Sequence, residues 1–395
     1  MIGVPEARQI IQKNVPRTAP KTVKLLDALG LILAEDVFSP IDFPPFNQSS
    51  VDGYAFAFSD FIKNPILEIE GEVPAGTLSS KPLRENSTCR IFTGAPVPEG
   101  ADTIVMQEKT KVANGFLQIE DPNLVQGSNF RPKGFEIKKA EKALEKGTKL
   151  VPGAIGFLAG LGIAEISVFP KPRISIILTG NELQKPGFPL LNGQIYESNS
   201  FIVMAMLQQL HVGDNVQVYY PQDTLNEIAS DLKIALEQSD LVLLTGGVSV
   251  GDYDFVPKAA ALCEVEVLFH KVKQKPGKPI FFGKKENKIV IGLPGNPASV
   301  LTCLYEYVLE VLHLMTGSVP NLETRSVPLS SEIRKPAGLT HFLKGFFDGK
   351  SVSLLPAQES YRLSSFSKAN CLIHFPEDDV LIEKGKLVDI HLFPA

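Results

Sequence analysis

Along the chain, apolar residues alternate between short unbroken runs and stretches of helical period. "PRISIILTG" (172–180), "VQVYY" (216–220) and "DLVLLTGG" (240–247) are brief apolar runs halted by glycine or proline, as expected of buried strands. Between them lie "SNSFIVMAMLQQLHVG" (198–213), which opens on cap-type residues, and "DTLNEIASDLKIALEQS" (223–239), both of helical period. Strand, helix, strand, helix, strand at this spacing predicts a parallel α/β sheet within residues 171–318. "PIFFG" (279–283) and "KIVIGLPG" (288–295) predict a hairpin feeding the helix "ASVLTCLYEYVLEVLHLM" (298–315).

The rest of the chain follows other patterns. Residues 1–45 hold a helix-like segment and a second one, "TVKLLDALGLILAEDV" (22–37), whose leucines recur at helical spacing until Gly30 interrupts them. The proline-rich "SPIDFPPFNQSS" (39–50) marks a boundary, and residues 46–136 read as short strands separated by Pro, Gly and Asn. Residues 137–170 have helix-forming composition, with a capping glycine at Gly147 and a buried helix in "VPGAIGFLAGLGIA" (151–164). They are expected to join residues 1–45 in one discontinuous unit. Residues 319–395 return to short β runs, predicting a C-terminal β domain.

Composition narrows the function. A chain of 395 residues with 44% hydrophobic and 21% charged residues has the make-up of a globular protein and the length of several domains. A net charge of −5 argues against a nucleic-acid coat, so any anionic ligand must be met by a local group of cations. The four cysteines show no CxxC pair, and the apolar run from Val151 is shorter than the roughly 18 to 20 residues of a membrane span. Reduced, buried thiols and a cytoplasmic protein without membrane or nucleic-acid partners are the expectation.

Three predicted strands end in glycine turns: Thr179-Gly180, Thr245-Gly246-Gly247 and Pro294-Gly295-Asn296. In open α/β sheets ligands sit at the carboxyl ends of strands, so the three turns should converge on one crevice. Gly246, Gly247 and Ser249 suit an anion held by backbone amides, and the helix start at Pro297 offers further N–H groups. Lys271, Lys273, Lys275 and Lys278 crowd "HKVKQKPGKPIFFG", stiffened by Pro276, Gly277 and Pro279, as a preorganised oxyanion site requires. Glu182, Asp223 and Asp254 are hard oxygen ligands of the kind Mg²⁺ takes beside substrate phosphates. Asp223 and Asp252 fit helix capping as well as a ligand role. The six dispersed histidines form no Ser/His/Asp constellation.

The ordered set "FNQSSVDGYAF", "IFTGAPVPEGADTIVMQE", "LTGNEL", "GQIYESN", "TGGVSVGDYDF", "KPGKPIFFG", "GLPGNPASV" and "LSSFSKANC" resembles the molybdopterin molybdenumtransferase (MoeA) family, to which the C-terminal part of gephyrin also belongs. The resemblance runs from about residue 5 to the end. It implies a homodimer of four-domain subunits: a discontinuous helical linker domain (1–45 and 137–170), a small β domain (46–136), a MogA-like parallel α/β domain (171–318) and a C-terminal β-barrel-like domain (319–395). It implies transfer of molybdenum from molybdate to adenylylated molybdopterin with release of AMP and assistance by Mg²⁺. Contacts with the molybdopterin adenylyltransferase and with molybdoenzyme maturation factors go with that role.

The resemblance carries functional groups to Asp52, Thr93, Glu182, Asp223, Asp254, Lys271, Lys275, Pro294, Pro297 and Ser360. Asp52 and Thr93 rest on it alone, and Asp223 aligns only across a one-residue gap. The chain departs from the family pattern in "GFEI", where Glu136 stands for an aspartate, and in "HFLKG", where Lys344 stands for an arginine and loses its bidentate geometry. Two other classes remain open. The α/β domain alone resembles the module that adenylylates molybdopterin, although the β domain is extra to that enzyme. By analogy with gephyrin the chain could be a scaffold, which leaves the lysines and carboxylates without a purpose.

Overall fold

The computed structural model describes residues 1–77, 81–214, 216–248 and 255–394. The chain folds into two compact units. One comprises Met1–Lys21, Gly30–Ile32 and the chain from Val168 onward, and the other Thr22–Leu29 and Leu33–Ser167.

In the first unit a six-stranded sheet runs in the order Val216–Tyr219, Ile174–Leu178, Leu241–Thr245, Lys288–Leu293, Phe281–Lys285, Glu266–His270. The first four strands are parallel, and Phe281–Lys285 runs antiparallel to both of its neighbours, forming the predicted hairpin with Lys288–Leu293. Ile174–Leu178 and Leu241–Thr245 are buried at every position, the condition for unbroken apolar runs in a sheet covered on both faces. The two-residue period sorts their side chains. Ile174, Ile176, Leu241 and Leu243 meet the helix Asn199–Gln209 and the helical stretch Pro297–Thr316 on one face. Ile177, Val242 and Leu244 meet Leu225–Gln238 and Val256–Leu262 on the other.

The stretch Pro297–Thr316 is long and apolar enough to cross a membrane by composition, yet it is 78% buried in this core. It contains a π turn at Leu304–Val308. Glu306, in that turn, is buried against two other parts of the unit. Arg8, from the helix Val4–Asn14, donates to Glu306 Oε2 at 2.6 Å, and His391 Nδ1 lies 2.7 Å from Oε1. The first helix packs Val4, Ala7 and Ile11 into the same core, so residues 1–21 join the α/β layers rather than residues 137–167.

The C-terminal sheet has the order Gln274–Lys275, Thr340–Phe347, Cys371–Phe375, Leu387–Leu392, Glu323–Pro328, with Val352–Leu354 also paired to Thr340–Phe347. Its edge strand therefore comes from the lysine-rich segment of the α/β region.

The second unit is built on a sheet ordered Thr103–Met106, Gly53–Phe56, Ser87–Ile91, Ile66–Val73, Phe116–Ile119, Thr110–Ala113. Two readings of this region change. The segment 22–37 is no helix: Leu25–Ala28 is a single 3-10 turn, with strands at Lys21–Lys24 and Val37–Phe38. Gly30 takes φ +80°, and Leu26 and Leu29 stay exposed, so their helical spacing serves no buried face. The Lys/Glu-rich start of 137–163 is also non-helical, with Ala140 at φ +68° and Gly147 at φ +89° in turns. Only Pro152–Gly160 is helical there, and among its residues only Leu158 is buried. The apolar helix expected in the interior lies mostly on the surface of its unit.

Removing the shared carboxylate in Glu306→Ala strands the buried His391 ring and the half-buried Arg8 guanidinium. Urea unfolding of this variant is expected to show a loss of about 3 kcal/mol, the scale of a broken buried ion pair.

Candidate functional site at the carboxyl edge of the parallel sheet

The glycine turns meet as the strand order requires. Thr179 donates its backbone N–H to the Thr245 carbonyl at 3.2 Å, and Gly246 donates to the Leu293 carbonyl at 3.2 Å. These bonds tie three strand ends into one floor. Gly246 has φ +86°, and a Cβ there would sit 2.8 Å from both the carbonyl and hydroxyl oxygens of Thr179. Only glycine fits that approach.

A cleft of about 840 Å³ opens on this floor, within the range of cofactor-sized ligands. Its walls bring together Glu182, Asp223, Gly246, Gly247, Lys275 and Lys278 with the turn Pro294, Gly295, Asn296, Pro297. The C-terminal region contributes Leu339, Ser360 and Tyr361. Asn296 precedes the helix at Pro297, but its side chain does not cap it. The amide donates to Ser360 Oγ at 3.0 Å, while Ala298 N–H donates to the Ser360 carbonyl at 3.0 Å. Asp223 is not the cap of its helix either. Thr224 fills that role, accepting from Glu227 N–H, and Asp223 N–H donates to Asn181 Oδ1 at 3.2 Å.

Like residue types part company here. Of the four clustered lysines, Lys275 and Lys278 line the cleft, whereas Lys273 pairs with Glu377 at 2.9 Å and Lys271 is not in the lining. Lys344 is buried outside the lining. Its ammonium donates to the carbonyls of Ala357, Glu359 and Arg362, and so fastens the loop that carries Ser360. Burial lowers the Lys344 pKa from the usual lysine value. Ser249, Asp252 and Asp254 lie outside the described residues.

In the second unit, Asp52 and Thr93 form a pair. Asp52 Oδ1 accepts both the N–H and the hydroxyl of Thr93 at 2.8 Å, and those bonds hold its carboxyl below the usual range. Arg90 stacks beside them on Tyr54 and Phe92. Glu136 is exposed, its backbone N–H bonded to the Phe43 carbonyl.

Several cleft residues escaped the sequence reading, Asn199, Glu197 and Gln274 among them. Asn199 and Glu197 sit in "YESNS", where cap-type residues read as a plain helix start. Glu197 does the capping, accepting the Ser200 N–H at 2.7 Å, and Asn199 instead donates to the Gly295 carbonyl at 2.9 Å. The missing signal was the choice of cap among three adjacent polar residues.

Three family descriptions match in order: the MoeA N-terminal region (domain I and II) over residues 2–162, a probable molybdopterin binding domain over 175–314, and the MoeA C-terminal region (domain IV) over 326–393. The chain is 34% identical to the molybdopterin molybdenumtransferase of Haemophilus influenzae, across 100% of this chain and 99% of that one. It belongs to the MoeA family of molybdopterin molybdenumtransferases. A second relative, molybdopterin molybdenumtransferase 2 of Mycobacterium tuberculosis, is 32% identical over 99% of each chain. The crystal structure of the molybdopterin biosynthesis MoeA protein from Pyrococcus horikoshii superposes with a TM-score of 0.85 at 28% identity, each chain covered in full. Family membership makes the chain an enzyme of molybdenum cofactor biosynthesis, a transferase acting on molybdopterin.

For a MoeA-family cleft, the residues present fit one Mg²⁺. Among the described residues no group of three or more His, Cys, Asp or Glu is placed to hold a metal by itself. Glu182 and Asp223 nevertheless line the same cleft, and one or two carboxylates beside substrate phosphates are what Mg²⁺ usually takes.

The cleft lysine also has a titrating neighbour, because Lys275 pairs with His341 where the two sheets join. Burial, helped by Lys335 and Lys275, pushes the His341 pKa down from 6.5 to about 4. The unfolded chain therefore takes up this proton first, and the stability from neutral His341, complete above pH 6.5, is lost as the pH falls toward about 4. Urea unfolding between these limits is expected to show a shallower pH slope for His341→Asn than for the parent. Gly246→Ala is expected to lose about 1–3 kcal/mol in urea unfolding, because the new methyl has to displace Thr179 from the cleft floor.

Proposed function

We propose that the chain inserts molybdenum from molybdate into adenylylated molybdopterin, releasing AMP, with Mg²⁺ assisting. The supporting observation is the convergence in one cleft of glycine turns, two lysines and two carboxylates. The glycine turn at Gly246 and Gly247 lets phosphates come close to the cleft floor, while the Gly246 N–H is taken by the Leu293 carbonyl and the Ala298 and Ser299 N–H groups of the Pro297 helix start by the Ser360 and Asn296 carbonyls. Lys275 and Lys278 offset the charge of the pterin phosphate and of the molybdate oxyanion. Ser360, fixed on Asn296, offers a hydroxyl to the same ligands. Bound Mg²⁺ would neutralise charge on the phosphoanhydride, with Glu182, Asp223 and Asp254 as its holders. In this reaction the two dithiolene sulfurs bond to molybdenum as an oxo group takes up their protons and leaves molybdate as water, and a water molecule attacks phosphorus of the phosphoanhydride so that AMP leaves with the bonding pair.

The proposal includes a homodimer of four-domain subunits in the cytoplasm. The mostly exposed apolar helix Pro152–Gly160 favours it, since such a surface is normally covered by a partner. The Asp52–Thr93 pair and Glu136 then complete a site shared between subunits. A molybdopterin adenylyltransferase and molybdoenzyme maturation factors stand before and after this step.

Purified protein mixed with adenylylated molybdopterin, molybdate and Mg²⁺ is expected to release AMP in a molybdate-dependent way. No such release would sink the transferase reading, and incorporation of AMP from ATP would favour adenylylation instead. Lys275→Ala is expected to slow release about 100-fold, the scale of losing one preorganised charge-stabilising group.

A further inference from the structure

The two cleft lysines sit on a loop that is held from behind by groups without charge. Gln274 precedes Lys275, is fully buried, and forms part of the cleft wall. Its side-chain amide donates to the Pro276 carbonyl at 3.1 Å and to the Gly277 carbonyl at 3.4 Å, bridging the turn that separates Lys275 from Lys278. The other end of the carboxamide, Oε1, accepts the hydroxyl of Tyr307.

Tyr307 is fully buried in the π turn of the core helix and does not line the cleft. One turn earlier in that helix, Cys303 closes the loop from the same side. A Cβ on Gly277 would lie 2.5 Å from Cys303 Sγ and 2.9 Å from Gln274 Nε2, so the loop already rests against both. Burial raises the Tyr307 pKa well above the usual phenol value, which keeps the hydroxyl a donor at any working pH. π turns are frequent at functional sites, and this one turns the hydroxyl of a core tyrosine toward a loop of the substrate cleft.

We propose that Tyr307 and Gln274 are positioning residues that set the geometry of Lys275 and Lys278 for an oxyanion. The inference rests on the reading that these lysines face molybdate and phosphate. Without the tyrosine hydroxyl, Gln274 Oε1 becomes a buried acceptor with its donor removed. The carboxamide turns to find another, and the bridge across Pro276 and Gly277 loosens. The cations remain but no longer share one fixed arrangement, and preorganisation is what makes such groups effective.

The test is Tyr307→Phe in the full-length protein, with molybdate and AMP titrated separately by calorimetry and amide exchange followed at Lys275, Gly277 and Lys278. Molybdate affinity is expected to fall about tenfold, the scale of one lost buried hydrogen bond, with faster exchange confined to the loop. In a Lys275→Ala/Lys278→Ala background the same change is expected to cost less than about twofold, because groups acting through one another are not additive. An equal loss in that background overturns the proposal, since a general packing defect behaves that way. Unchanged affinity with unchanged loop exchange overturns it too. If the parent protein binds neither molybdate nor AMP, the function proposed above falls, and loop exchange alone decides the positioning role: faster exchange supports it and unchanged exchange overturns it. If Tyr307→Phe does not fold, Gln274→Met, which keeps the volume and removes both bonding ends, carries the same comparisons.

Discussion

The site depends on how closely three backbone turns approach one another. The turns at Thr179, Gly246 and Leu293 are linked by main-chain hydrogen bonds at the strand ends, and a Cβ on Gly246 would lie 2.8 Å from two oxygens of Thr179. With side chains excluded from that floor, the backbone there is open to close approach and the lysines and carboxylates are left to the walls. The chemistry of the cleft is thus a division of labour between backbone below and charge around it.

The walls are held by a second constraint, the buried stretch Pro297–Thr316. Its first residues belong to the cleft, and its π turn reaches two ways. Tyr307 meets the lysine loop, and Glu306 meets Arg8 and His391. Lys344 adds a third fastening by gathering the carbonyls of the loop that bears Ser360. Polar groups that are not themselves in the cleft thereby fix most of what is.

Much of this was legible in the sequence. Parallel strands covered on both faces must be apolar at nearly every position, so Ile174–Leu178 and Leu241–Thr245 declared themselves, and the rule for strand ends then located the crevice. What escaped depended on distant partners or on side-chain direction. Nothing local distinguishes Lys273 from Lys275, yet one is paired with Glu377 and the other faces the cleft. Lys344 was singled out because it stands where the family has an arginine, and the carbonyls that hold its ammonium lie on a loop more than ten residues away. The leucines of 22–37 kept a helical spacing that the fold does not use, and Pro152–Gly160 was apolar for a reason other than burial within its own unit. Asp52 and Thr93 were carried by family resemblance, and their bonding to each other is something spacing could not have shown.

The edge strand Gln274–Lys275 has a consequence for modularity. It is threaded from the α/β region but hydrogen-bonded to Thr340–His341 of the C-terminal sheet, so two regions that separate family descriptions divide are stitched through a residue of the cleft. Neither region can be excised, swapped or inserted elsewhere as a free-standing part without leaving an unpaired backbone edge beside Lys275. A cut between the two regions would take from Lys275 the backbone partner that His341 gives it.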